Sequence, residues 1–198
     1  MNTPTKLLFG FALLALGAGL ALNAGQSAEN PSWVHEVNWQ DKPDGSAKIE
    51  ELLWNEVTPY RTEYETVNIS KSAEGKKLRL KVIALIKESD RPDIYDFVYE
   101  EGSLLMTGYL LEAIPVQYRD EAISTALAGS ETASMSIKPG TPTVRRILPK
   151  TSEKYYAPKT LLSVTWEGSS ALIDIDEHKV VNVWNAATTQ GQQKSTTN

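Results

Sequence analysis

The sequence predicts an α+β fold, a mainly antiparallel sheet with one principal amphipathic helix. Three observations carry that expectation. Residues 76–87 are the clearest period-2 stretch in the chain, with Leu78, Leu80, Val82, Ala84 and Ile86 on one side and Lys77, Arg79 and Lys81 on the other, which is the period of a half-buried strand. Short strand-like runs recur through the chain with turn residues between them. One segment, about 115–128, has helical spacing and opens on Pro115, a residue preorganised for the first turn.

Before the fold begins, Lys6 precedes a 16-residue apolar run, 7–22, followed by Ala24, Gly25, Ser27 and Ala28. A basic start, an apolar centre and a small-residue exit make residues 1–28 a secretory signal peptide. The run is shorter than the ~20 residues that span a bilayer core, so an uncleaved anchor is the alternative. Either way the protein is exported, to the periplasm, the cell envelope or the exterior. The chain has no cysteine, which excludes disulfides, thiolate metal sites and cysteine nucleophiles. Its net charge of −5 argues against nucleic-acid binding, which needs a broad basic face.

Element by element, residues 31–40 read as an edge strand and 41–45 as a turn. Ser46 caps a short helix, about 46–57, with Ile49, Leu52, Leu53 and Glu56 at 3–4 spacing; Thr58 before Pro59 ends it. Residues 63–70 and 76–87 form a hairpin around 72–75, and 94–99 with 104–111 a second around 100–103. In the helix after Pro115, Val116, Ile123, Ala126 and Leu127 form the apolar stripe, and Gly129 terminates it. Residues 130–159 dissolve into prolines and bases, and three strands follow at 160–166, 170–174 and 179–184. The tail, 186–198, is rich in Thr, Gln and Ser and reads as disordered. The organisation is therefore a β-rich region, 29–112, followed by an α+β module, 113–185.

The stretch 113–127 (AIPVQYRDEAISTAL) resembles the helix opening of PepSY-like domains, and 170–184 (SALIDIDEHKVVNVW) is similar to their last hairpin. A long Pro- and base-rich segment stands where that pattern has a compact strand. The resemblance implies an exported, non-enzymatic α+β module at the cell envelope, with no catalytic residues and no cofactor to carry over.

Residues 138–159 hold Lys138, Arg145, Arg146, Lys150, Lys154 and Lys159 against one acid, Glu153, with Tyr155 and Tyr156 among them. Long irregular loops are often functional. Arg145, Arg146, Lys150, Lys154, Tyr155 and Tyr156 are the candidate partner-binding set, gripping an acidic protein surface or another anionic envelope component. The alternative is a solvated loop, or one neutralised by Asp90, Asp93, Asp96, Glu100 and Glu101.

Other chemistry is thin. Asp174, Asp176 and His178 could seat a divalent cation, but a turn collects such residues simply because it is exposed, and the reading taken is no metal. No G-x-S-x-G elbow or HExxH motif is present, so no catalytic residue is assigned. Trp166 and Trp184 end neighbouring strands and could lie side by side as a sugar platform, although core packing is the commoner fate. Asn68 begins the lone usable N-glycosylation sequon. The function expected is a non-catalytic interaction or regulatory protein. The alternatives are a membrane-anchored accessory subunit of an envelope complex and an exported hydrolase using carboxylates.

Overall fold

A computed structural model of the chain describes residues 30–130, 132, 140–149 and 159–185. The signal segment 1–28, the tail 186–198 and, within the basic stretch, Lys138, Lys150, Lys154, Tyr155 and Tyr156 lie outside the described residues.

The first sheet has five strands in the order β1-β2-β3-β4-β5: β1 Val34–Gln40, β2 Tyr64–Glu74, β3 Lys77–Leu85, β4 Asp93–Glu100 and β5 Ser103–Leu111. Helix α1, Ser46–Leu53, joins β1 to β2. That crossover returns the chain in the same direction, so β1 pairs parallel to β2, as a helical connection permits and a hairpin does not. The other pairs are antiparallel. Gly102 (φ 83°) follows Glu101 (φ 50°) in the tight β4–β5 turn; a two-residue hairpin with both central residues at positive φ needs glycine there. Gly45 (φ 74°) precedes α1, so Ser46 is its first residue and not its cap.

Cross-strand partners share a face. Val67 and Ile69 of β2, Leu80, Val82 and Ala84 of β3, and Tyr95 and Phe97 of β4 point inward beneath Ile49, Leu53 and Val57. Each such aliphatic or aromatic side chain contributes about 1.5–3 kcal/mol on burial.

The second sheet is antiparallel, β6-β7-β8-β9, with β6 Thr143–Ile147, β7 Leu161–Trp166, β8 Ser169–Asp174 and β9 Lys179–Asn185. Helix α2, Val116–Ala128, lies across it. Its buried face is Ala122 and Ala126, whose small side chains admit Ile114, Val164, Ala171 and Ile173, whereas Val116 and Leu127 are exposed. Of the expected stripe, Ala126 is buried and Ile123 packs against this core, while Val116 and Leu127 are not part of it, because the closest approach falls on the alanines.

The α+β expectation is corrected: strands account for 49% and helix for 16% of the structure, a mainly-sheet fold with two short helices. Two features tip the balance. Strand β6 lies inside the segment read as irregular, between prolines at 142 and 149. Helix α1 stops at Leu53, well short of 57.

Candidate functional site

Strand β6 alternates, with Val144 and Arg146 inward and Arg145 and Ile147 on the other side. The inward position of Arg146 carries it through the joint between the sheets. Its side chain is 3% exposed and Asp93, the first residue of β4, is 0% exposed. Arg146 Nη2 donates to Asp93 Oδ2 at 2.7 Å and to the Tyr95 hydroxyl at 2.8 Å, and Nη1 donates to the Thr58 carbonyl at 2.7 Å. The Tyr64 hydroxyl donates to the same carboxylate oxygen at 2.6 Å, and the Ala113 amide donates to Oδ1 at 2.8 Å. One guanidinium therefore ties β6 to β4, to the connector before β2 and, through Asp93, to the entry of α2.

The electrostatics match this structural role. Burial pushes the Asp93 carboxyl above the usual carboxylate range, while Arg146, the Tyr64 hydroxyl and the Ala113 amide favour its charged form. Against its own desolvation, Arg146 is raised by Tyr95, Asp93 and Tyr64. It is a fixed cation, and the Asp93 carboxyl 2.7 Å away is the group placed to compensate it.

Arg146, one of the candidate partner-binding residues, is therefore internal, and Asp93 is its buried counter-ion. Arg145 points away from it. Its Nε donates to Glu112 Oε1 at 2.7 Å, with the guanidinium half-exposed.

The three cation-binding candidates, Asp174, Asp176 and His178, are not brought together as a site. Asp174 Oδ2 pairs with Lys159 Nζ at 2.6 Å, and Oδ1 accepts the Glu177 amide at 3.2 Å. Against the upward push of burial, Lys159 and that amide hold the Asp174 carboxyl below its ordinary value. Asp176 pairs with Arg61. His178 Nδ1 lies 2.8 Å from Glu121 Oε1 on α2. Among the described residues no cluster of three or more His, Cys, Asp or Glu could hold a metal.

Arg61 makes a second joint. Its guanidinium lies 5.4 Å from the Tyr60 ring centroid and 4.9 Å from that of Tyr118 on α2, with Asp176 on the β8–β9 turn as its ion pair. Arg61 holds φ at 54°, a conformation uncommon outside glycine. The connector 57–63 is therefore gripped by Arg146 through Thr58 and by α2 and the turn through Arg61.

The tryptophan platform is not formed. Trp166 on β7 packs into the α2-covered core, whereas Trp184 on β9 packs against Leu161 and Leu172 on the opposite face, with β8 between the two strands. Asn68 lies on β2, half-buried.

The outer face of the five-stranded sheet is different. The register places Ile83 beside Ile94 and Ile94 beside Leu110, and Val98 beside Leu105, with Leu85 two residues beyond Ile83. These six apolar side chains are half-buried or exposed, Leu105 at 66%, and none belongs to a core cluster. Lys81 and Asp96 sit among them as cross-strand neighbours. A shallow groove on this face is lined by Ser70, Ser72, Arg79, Lys81, Asp96 and Thr107. Sequence reasoning missed this surface. The available signal was that residues 82–86 are apolar at both parities, so one strand cannot hide all of them on one face.

Among the described residues no helix is long and apolar enough to cross a membrane. Comparison with protein families, curated proteins and solved structures finds no match.

Proposed function

We propose that this chain is an exported, non-catalytic interaction module of the periplasm or cell envelope, and that the outer face of β3, β4 and β5 is its binding surface. The observation that carries the reading is the adjacent set Ile83, Leu85, Ile94 and Leu110, with Val98 and Leu105 one cross-strand row further on beyond Lys81 and Asp96, all apolar and outside every core cluster. Contiguous apolar surface of this kind marks an interaction site. The fates of the chemistry-bearing groups support the same reading. Arg146, Asp93, Asp174, Asp176 and His178 are each engaged in joining one element to another. Export rests on Lys6 and the apolar run after it, and the resemblance of residues 113–184 to PepSY-like modules agrees with an envelope role.

Placing a photoreactive phenylalanine analogue at Leu105 tests the surface in cells of the source. Val181 on β9, exposed at 46%, is the control position. Adducts are expected from position 105 and not from 181. An absence of adducts from 105, from Val98 and from Ile83 would overturn the proposal.

A further inference from the structure

We infer that a second copy of this chain docks face to face on the outer face of the five-stranded sheet. The inference rests on the reading of that face as a binding surface and goes on to name its occupant.

The argument is the order of charges. Along the outer face β3 presents Lys77, Arg79, Lys81, Ile83 and Leu85, three cations and then two aliphatic residues. The partner positions on β4 present Glu100, Val98, Asp96 and Ile94. Lys77 is paired with Glu100 and Arg79 with Glu74 within the sheet, which leaves Lys81 on β3 and Asp96 on β4 as the charges on offer, and both strands turn aliphatic toward the same end of the sheet. A twofold axis parallel to the strands, midway between β3 and β4, lays the β3 of one copy over the β4 of the other. Lys81 then faces Asp96 of the second copy, Ile83 faces its Ile94, and both relations occur twice, as an isologous interface requires. Two sheets stack in this way about 10 Å apart with their strands near alignment.

The side chains are prepared for it. Lys81 is exposed, and neither its ammonium nor the Asp96 carboxylate is engaged by another described residue, although the two are cross-strand neighbours. Gly108 sits opposite Asp96 on β5, at the irregularity where Thr107 is the extra residue. A Cβ at Gly108 would lie 3.8 Å from Asp96 Oδ2; its lack leaves that carboxylate uncovered from the β5 side. A partner of uniform charge would satisfy one strand and be repelled by the other. A surface with both signs in the swapped order satisfies both, and this chain already carries one.

Sedimentation of the full chain, with two charge reversals, tests the inference. The native chain is expected to sediment as a dimer. Lys81→Asp places Asp against Asp, and Asp96→Lys places Lys against Lys, so each should raise the dimer dissociation constant roughly a hundredfold. An equimolar mixture of the two variants should form dimers again, because each copy then supplies the charge that the other lacks. The double variant should also dimerise. A native chain that stays monomeric, reversals that dimerise like the native chain, or a mixture that stays monomeric would each overturn the inference. If position 105 forms adducts with a different protein while the native chain is monomeric, the binding surface stands and the second copy falls; if positions 105, 98 and 83 all form no adducts, the surface reading itself fails.

Discussion

Replacing Arg146 with Met is expected to cost about 3–5 kcal/mol of stability, the usual effect of removing one partner from a buried ion pair. Met matches the aliphatic length of Arg and fills irregular space, so the loss is electrostatic more than volumetric. The variant leaves the Asp93 carboxylate, 0% exposed, with the Tyr64 hydroxyl and backbone donors such as the Ala113 amide but without its cation. It also removes the donors that Arg146 gives the Thr58 carbonyl and the Tyr95 hydroxyl. A loss of that size would lower the melting temperature by roughly 10 °C for a domain of this length. Urea unfolding reads it directly. A change under about 1 kcal/mol, the range of an exposed pair, would place Arg146 on the surface and return it to the partner-binding set.

Phe97→Ala should cost a comparable amount, about 3–5 kcal/mol, by opening a cavity in the inner face of the first sheet. Phe97 is 1% exposed and lies stacked on Tyr95, with centroids 6.1 Å apart and planes at 15°. Tyr95 in turn carries the hydroxyl that Arg146 reaches. The cavity therefore loosens a wall of the joint as well as the core, and its effect should not simply add to that of Arg146→Met, since contacting residues couple. Thermal and urea unfolding of both single variants and the double variant measure this. A small, additive loss would mean that the core and the joint are independent.

What the sequence made legible is what local chemistry dictates. The alternation of β3, the prolines that punctuate the chain and the tight turn at Gly102 all follow from residue period and backbone preference. The helix after Pro115 is visible for the same reason, and so is part of its buried face, Ile123 and Ala126; Ala122 is not, because an alanine carries little hydrophobic signal and faces the sheet through its small size. Strand β6 was hidden by its own function. Its inward residue is a guanidinium, so an alternation of Val144 and Arg146 looks like a charged loop until Asp93 is placed opposite. Asp93 itself offered a clue: Asp93, Tyr95, Phe97 and Tyr99 share one parity, so an acid stood on an otherwise aromatic face. The parallel pairing of β1 with β2 depends on the path of the chain through α1, which no local pattern specifies. The outer apolar face was overlooked because Lys77, Arg79 and Lys81 mark β3 as wet, while the aliphatic residues that follow belong to a surface made only when three strands meet.

The central claim is that Arg146 with Asp93 and Asp176 with Arg61 tie the second sheet to the first and to the connector before β2, and that the outer face of the first sheet is the proposed surface for partners. The Arg146–Asp93 pair tests it most directly, through a double-mutant cycle with Arg146→Met, Asp93→Leu and both together, each measured by urea unfolding. Each single variant is predicted to lose about 3–5 kcal/mol, because each strands one buried charge. The double variant should recover most of that loss, since an apolar pair can replace a buried ion pair at little cost. Losses that simply add, or an Arg146→Met variant as stable as the native chain, would show that Arg146 is not the tie between the sheets and would contradict the account.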